Sequence, residues 1–422
     1  MVTVNMKDFK KAVRIAKMSI SPKVKPVLGC ILINCDGDKL TMSSTNLDQY
    51  MTQSIPLSRK GEMSPVLIPW ENINEALKGK KTENFLSINQ SDSDVSFNFG
   101  NTSITVKTFD GEDQEFPNYP DGEPVWIIDL QAPALAGCIR KVYYARSLDN
   151  IRFTLNGVLL ESCPEGVNIA ATDGNRMSVC NLTKEEKPEY KAIMQTNFCK
   201  TLLTVCDSGQ VKVGVVPSKD GNGASYTVVQ GQEWSVISRT IDGQFPLYEK
   251  IIPKQQDYGV LLKKRVLCDT LSGFTGMNDV ILSRCEKGMK IFCDNAEAVI
   301  RDVDTSAMAT WRCSTKYLME MLFAVDSEWV LIQTSTTLLM IKDENSTHIL
   351  SGISSKDYYI CFFCGKKYEI EEGVNENKEV CSEDCEKALE TAKENAKLLN
   401  EKYQTISVKK TRVTLKGLLE RN

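Results

Sequence analysis

Val158-Leu159-Leu160-Glu161-Ser162-Cys163-Pro164-Glu165-Gly166, followed by Val167-Asn168-Ile169 and Thr172-Asp173-Gly174, has two counterparts in this chain. One is Ile31-Leu32-Ile33-Asn34-Cys35-Asp36-Gly37, then Leu40-Thr41-Met42 and Thr45-Asn46-Leu47. The other is Val280-Ile281-Leu282-Ser283-Arg284-Cys285-Glu286-Lys287-Gly288, then Met289-Lys290-Ile291 and Asp294-Asn295. In each, an apolar run ends at a cysteine and a glycine-bearing turn, and a second run ends in a short polar cluster. The cysteines lie 128 and then 122 residues apart. That period is too long for a solenoid unit and suits a whole domain. Three similar domains imply a curved or closed assembly, not a single catalytic cleft.

Two helical signals flank the strand pairs in each copy. From Asp8 to Met18, Phe9, Ala12, Val13 and Ala16 fall on one side, and Lys7, Lys10, Lys11, Arg14 and Lys17 on the other. The matching stretches are Pro133 to Ser147 and Leu262 to Leu271. The second helices are expected at Trp70–Leu77, Asn197–Leu203 and Ser314–Leu322, each followed by an alternating strand. Phe116-Pro117-Asn118-Tyr119 and Phe245-Pro246-Leu247-Tyr248 mark the exits from the first two copies. The reading is an α+β chain with domains at 1–123, 124–253 and 254–355, then a separate module at 356–422.

Composition is that of a globular protein, 42% hydrophobic and 25% charged, enough for several cores. Net charge is −4, so any nucleic-acid surface must be local. Met1 to Lys7 lacks the apolar core of a signal peptide, and no stretch approaches the ~20 apolar residues of a membrane span. A cytoplasmic protein with no membrane partner is expected, with most of its 15 cysteines as reduced, buried thiols. The single histidine, His348, removes histidine-based triads and multi-histidine metal sites.

Charge is strongly segregated. Between Met1 and Lys25 there are seven cations, Lys7, Lys10, Lys11, Arg14, Lys17, Lys23 and Lys25, against the one acid Asp8. Such a stretch suits phosphate tracking. Without amides or aromatics aimed at base edges it would hold DNA and not read it. Arg140, Lys141, Arg146 and Arg152 are the further candidates for DNA contact in copy two.

Ile151-Arg152-Phe153-Thr154-Leu155-Asn156-Gly157-Val158-Leu159-Leu160-Glu161, with Ala171-Thr172-Asp173-Gly174-Asn175-Arg176-Met177-Ser178-Val179, closely resembles the central domain of bacterial beta sliding clamps. Those are the processivity subunits of replicative DNA polymerase, the DNA polymerase III beta subunit family. Phe245 to Pro253 resembles the linker into their third domain, and Pro26-Val27-Leu28-Gly29 and Thr45-Asn46-Leu47-Asp48 their first-domain signatures. The resemblance covers roughly residues 1 to 355. It implies three domains of two helices packed on antiparallel sheets, and two chains joined head to tail as a homodimeric ring around duplex DNA. It also implies DNA polymerase and a clamp loader as partners, and no catalysis. Val106 and Leu271 are taken as apolar contacts of the ring interface.

By the same resemblance, partner peptides would enter an apolar pocket built from Leu155, Thr172, Gly174, Arg176 and Met177. Pro246, Lys250 and Ile251 would join from the linker, and Ile349 and Ile353 at the end of domain three. The chain departs from the family at Asn175, where a basic or imidazole residue is usual, and at Phe153-Thr154, where an aromatic pair is common. It also runs on for 68 residues past Ser354, where family chains stop.

That extension carries Cys361-Phe362-Phe363-Cys364-Gly365 and Cys381-Ser382-Glu383-Asp384-Cys385. Cys361, Cys364, Cys381 and Cys385 can close a tetrahedral structural Zn²⁺ site, as in treble-clef knuckles. The metal would supply most of the module's folding energy, on the order of 10 kcal/mol. A helix is expected from Glu383 to Tyr403, with Leu389, Ala392, Ala396 and Leu399 in one stripe, and then a basic tail. The functional reading is a DNA sliding clamp. Its rival is a clamp-derived scaffold coupling DNA to transcription or repair proteins through the zinc tail. Metal-dependent catalysis is disfavoured, because a four-cysteine site has no open position and no P-loop is present.

Overall fold

The computed structural model describes every residue except 81–83, 112–114, 219–222, 254–256, 336, 354–358, 366, 369–379, 381 and 420–422. One order of elements occurs three times: strand, helix, four strands, helix, three strands. The first copy is β1 (Val2–Asn5), α1 (Met6–Ala16), β2 (Cys30–Asp36), β3 (Lys39–Thr45), β4 (Gln49–Arg59), β5 (Val66–Pro69), α2 (Trp70–Leu77), β6 (Phe85–Gln90), β7 (Asp94–Phe99) and β8 (Thr102–Lys107). The second is β9 (Val125–Gln131), α3 (Ala132–Tyr143), β10 (Val158–Cys163), β11 (Gly166–Thr172), β12 (Arg176–Thr183), β13 (Tyr190–Met194), α4 (Thr196–Val205), β14 (Gln210–Pro217), β15 (Ala224–Gln230) and β16 (Trp234–Arg239). The third is β17 (Tyr258–Lys263), α5 (Lys264–Ser272), β18 (Asp279–Cys285), β19 (Gly288–Phe292), β20 (Glu297–Arg301), β21 (Trp311–Ser314), α6 (Thr315–Ala324), β22 (Trp329–Thr334), β23 (Leu338–Lys342) and β24 (Ser346–Ser351). The tail adds β25 (Tyr359–Ile360), β26 (Lys367–Tyr368) and α7 (Glu383–Leu419). Among the described residues the strand ladders are antiparallel.

The cysteine–glycine signature has a steric cause. Gly166 and Gly288 open β11 and β19, the third strands of copies two and three, at φ +132° and +135°. A Cβ there would fall 2.0 Å from the Thr183 carbonyl oxygen and 2.3 Å from that of Ile300. Only glycine tolerates both that backbone and that approach.

By contacts the chain divides into two compact units. One holds Met1–Ile139, Asn156–Asn168 and Leu182–Gln244. Its main sheet runs β8-β7-β6-β1-β4-β16-β15-β14-β9, with β2, β3 and β5 attached. Helix α1 starts at Asn5, whose side chain accepts from the Lys7 N–H at 2.9 Å. It buries Phe9, Ala12, Val13 and Ala16, with Phe9 5.9 Å from Phe97 on β7. In this unit β4 of copy one pairs with β16 of copy two, from Gln53 opposite Trp234 to Gln49 opposite Ser238. Ser54 N–H donates to the Glu233 carbonyl beyond that ladder at 2.8 Å, and Lys39 meets the Glu233 carboxylate at 3.2 Å.

The other unit holds Arg140–Leu155, Ile169–Asn181 and Phe245–Asn422. Here β12 of copy two pairs with β24 of copy three, from Cys180 opposite Ser346 to Arg176 opposite Leu350. The sheet continues β24-β23-β22-β17, and β20-β19-β18-β21 form a second sheet. Asn181 N–H donates to the Asn345 carbonyl at 2.7 Å, the same bond that Ser54 makes in the first unit. Leu271 lies fully buried in this unit's core, so it is no interface contact. Its helical apolar stripe faces α6 and the sheets.

Helix α7 continues past Tyr403 to Leu419, since no proline or glycine interrupts it before Gly417. Leu389, Ala392 and Ala396 are buried, as their spacing requires. Among the described residues the tail forms no core of its own. Cys361, Phe362, Val380, Leu389 and Ala392 join the copy-three cluster, with Phe362 edge-on to Tyr258 at 5.1 Å. Asn400 accepts from Gln333 on β22 at 2.9 Å, and the Tyr403 hydroxyl donates to the Lys342 carbonyl at 3.3 Å. Elsewhere burial pushes the thiols of Cys30, Cys206 and Cys313 up, to about 11, 12 and 12, so they stay protonated and unreactive.

Lys141 departs from its expected role. It is 9% exposed, with its ammonium 3.2 Å from Asp343 and 2.9 Å from Asp326. Burial works against the charge, but those carboxylates outweigh it and the pKa sits above its ordinary value. Burial also opposes the Asp343 carboxylate, yet the Ser327 hydroxyl, the Asp326 N–H and Lys141 hold its pKa at about 2. A depressed carboxyl pKa stabilises the fold above its ordinary value of 3.8, and the gain disappears as pH falls toward 2. Asp343→Asn should therefore cost about 3 kcal/mol near neutrality. In urea melts at a series of pH values, the gap to the parent should close between about pH 4 and pH 2; a gap independent of pH would refute the assignment.

Candidate functional site

The outward face of α1 is the first candidate surface. Lys7, Lys11, Arg14 and Lys17 are exposed there, and Lys23 and Lys25 are exposed in the following loop. Three of the helix cations are partly committed. Lys10 donates to the Lys80 carbonyl, Lys11 lies 2.8 Å from Asp207, and Lys17 sits 4.4 Å over the Trp70 ring. The Lys11 hydrogen bond holds Asp207 below the usual carboxylate range. An exposed row of this kind offers charge without fixed geometry. In the other unit Arg140 is exposed, while Lys141 is sequestered as described.

A cavity of about 420 Å³ lies beside β12, between the 146–152 segment and the start of α6. Arg146, Arg152, Asp173, Arg176, Lys316 and Tyr317 line it. Arg176 is its centre, 9% exposed. Its guanidinium bonds Asp173 at 3.0 Å and Glu320, and lies 4.0 Å over Tyr317 and 5.3 Å over Tyr144. Gly174, at φ +92°, brings the backbone so close that a Cβ would sit 3.0 Å from the Arg152 guanidinium. Arg146 stacks 3.9 Å over Tyr143 and donates to its carbonyl at 3.0 Å.

This cavity differs from the apolar pocket expected from the sequence. Leu155, Thr172, Met177 and Ile349 are all buried below 9% and do not line it. Pro246, Lys250 and Ile251 are exposed, Ile353 is 39% exposed, and none of the four lines it. Of the expected set only Arg176 does. The Arg176–Asp173–Glu320 cluster gives this cavity its charged wall. Arg146 and Arg152, read as DNA contacts, line the same cavity. Tyr144, Tyr317 and Glu320 were missed. Tyr317 and Glu320, three apart on α6, share a helix face, the one sequence signal available for them. Leu148, which lines it, is 76% exposed, and Ile151 and Phe153, on either side of Arg152 in sequence, are 87% and 56% exposed.

The third candidate is a thiol cluster. The sulfurs of Cys361, Cys364 and Cys385 lie within 4.8 Å of one another. Cys361 and Cys364 flank a turn closed by Gly365 at φ +72°. Cys364 N–H points at the Cys361 sulfur at 3.4 Å. Cys385 is in the first turn of α7, whose dipole favours a thiolate. Thiolates bound to one zinc at ~2.3 Å in a tetrahedron sit about 3.8 Å apart, so the three fit one ion. Cys381 lies outside the described residues.

The sequence model of the family described as "DNA polymerase III beta subunit, central domain" matches this chain twice, over residues 3–118 and 129–247. Together these segments exceed half of its length, and they correspond to the first two copies of the element order. The Beta sliding clamp of Pseudomonas putida is 21% identical over 345 residues, spanning 79% of this chain and 90% of that protein. That of Escherichia coli strain K12 is 21% identical over 332 residues, 76% and 89% of the two chains. The crystal structure of the DNA polymerase III subunit beta from Pseudomonas aeruginosa shares the fold at TM-score 0.73 and 18% identity, covering 84% of this chain and all 100% of that one. The Thermotoga maritima beta subunit does so at TM-score 0.71 and 18% identity, with 84% and 99% covered. Among the described residues, no helix is long and apolar enough to cross a membrane. The chain belongs to the DNA polymerase III beta subunit family, the beta sliding clamps.

Proposed function

We propose that two copies of this chain close head to tail into a ring that encircles duplex DNA and tethers DNA polymerase as a non-catalytic processivity factor, placed on DNA by a clamp loader in the cytoplasm. One observation carries this reading. The fourth strand of one copy pairs with the eighth strand of the next, as β4 with β16 and β12 with β24. Among the described residues β20 pairs only with β19, and β8 only with β7. They are the remaining fourth and eighth strands, and each presents a ladder edge without a mate.

The two internal junctions agree on register. Both are anchored by the same turn bonds, Asn46 to Gln49 and Asp173 to Arg176 on one strand, Gly231 to Trp234 and Asp343 to Ser346 on the other. Cys293 to Ala296 is the third-copy equivalent, and Phe99 opposite Thr102 the first-copy one. Carried over, Thr102 of one chain faces Ile300 of the other, Ser103 faces Val299, and Thr105 faces Glu297. Val106 falls opposite Ala296, at the far end of the same ladder.

A topological link makes tight DNA contacts unnecessary, and the exposed Lys7, Lys11 and Arg14 suit loose, sequence-independent phosphate contact. Partner peptides would dock at the Arg176 cavity, whose cations and exposed aliphatic rim suit a mixed apolar and acidic segment. The packing of the tail into the copy-three core favours this reading over a free zinc adaptor. A structural zinc held by Cys361, Cys364 and Cys385, with Cys381 as the fourth candidate ligand, would tie the 361–365 turn to α7. It would complete no reaction.

In native mass measurement the chain should run as two copies, and with its own polymerase and loader it should lengthen products on circular primed DNA. Replacing Lys7, Lys11 and Arg14 by alanine should lower the slope of log affinity against log salt by roughly three. A monomer that leaves product length unchanged would overturn the proposal. Purified protein should carry one zinc per chain, and Cys385→Ser should release it and lower the melting temperature. A metal-free chain with an unaltered melt would refute the zinc site.

A further inference from the structure

We propose that α7, the helix that follows the third copy, forms part of the seam between two chains by walling the groove that receives the β7–β8 turn of a second copy. The inference rests on the head-to-tail closure above and goes beyond it.

In the first unit, β4 carries two neighbours end to end along one edge. Gln49 to Gln53 pair with β16, and Leu57 and Arg59 pair with β1. The turn before β16 thus abuts β1 at Ser54. In copy three the counterpart of Ser54 and Asn181 is Arg301, at the end of β20. Among the described residues no ladder joins β20 to β17, the counterpart of β1. Asp302, at φ +59°, turns the chain away just beyond Arg301. A cavity of about 410 Å³ remains between this segment and β17. Its outer wall is α7, through Leu399 and Lys402.

The register carries the second copy's turn to that position. Asn101 stands where Glu233 and Asn345 stand at the internal junctions, so its carbonyl would accept from the Arg301 N–H. Gly100, at φ +55°, and Asn101 then project past the end of β20 toward the cavity mouth. At the internal junctions an acid at or beside the turn meets a lysine, Glu233 with Lys39 and Asp343 with Lys141. The β7–β8 turn has no acid, only the Gly100 and Asn101 carbonyls and the nearby Lys80, whose ammonium lies 5.5 Å over the Phe99 ring. The groove offers matching groups. Exposed Lys402 can donate to the carbonyls, and exposed Asp302 and Asp304 can meet Lys80. The seam thereby has a latch of its own, partly supplied by the added helix.

The test uses the full chain with a photo-cross-linking residue at Ser103 or at Asn101, in a mixture of isotopically light and heavy copies. Adducts from Ser103 should map to 297–300 of the other copy, and adducts from Asn101 to 301–304 and 399–402. Lys402→Glu should raise the dimer dissociation constant roughly tenfold, and Leu399→Asp at least as much. If Ser103 labels β20 while Asn101 never reaches α7 and Lys402→Glu leaves dimer dissociation unchanged, the inference fails and the ring stands. If Ser103 labels nothing between copies and the chain is monomeric, both fail. Lys402 is exposed, so its variant tests the seam without disturbing the core that Leu399 adjoins.

Discussion

The backbone ladder between the fourth strand of one copy and the eighth strand of the next is the constraint on which the rest depends. A strand edge buried without partners leaves donors and acceptors unpaired at a cost of several kcal/mol. At β4–β16 and β12–β24 that cost is avoided by pairing consecutive copies of one module. The remaining fourth and eighth strands, β20 and β8, each keep one unmatched ladder edge among the described residues. Under the proposed closure, association would follow from the repeat itself.

Charge is arranged around that frame in two ways. Cations on the open face of α1 remain largely exposed to water. Lys141 and Arg176 are the opposite case. Each is drawn inside by carboxylates and contributes to structure, Lys141 by tying the β23–β24 turn to α3 and Arg176 by joining β12 to α6. His348 belongs with them. Burial pushes its pKa to about 4, and its ring nitrogens bond Ser178 at 2.9 Å and Ser346 at 3.0 Å. It is a neutral core group near neutrality, not a switch.

The tail changes what the third copy is. An extension with few apolar residues of its own borrows the neighbouring core, through Phe362, Leu389 and Ala392. Its thiol cluster and its helix are consequently packed into the same core as β17. The tail lies beside the end of β20, where Leu399 and Lys402 line one cavity with Arg301 and Asp302.

Much of this was legible in the chain itself. Alternation at Leu40 and Met42, the 3.6-residue stripe of Phe9, Ala12, Val13 and Ala16, the glycine after each cysteine and the threefold recurrence are local or periodic signals. Backbone geometry reads such signals the same way wherever they occur. The resemblance rested on them too, and so did the spacing of Cys361, Cys364 and Cys385. What tertiary structure alone decided were pairings across long separations. Arg176 meets Glu320 at a separation of 144 residues and Lys141 meets Asp343 at 202, which gives the Arg176 cavity a charged wall and places an expected DNA contact in a buried ion pair. A lysine on a helix looks alike in sequence whether its neighbour in space is water or a carboxylate. Only the fold, by choosing the neighbour and the dielectric around it, settles which charge binds a partner and which holds the protein together.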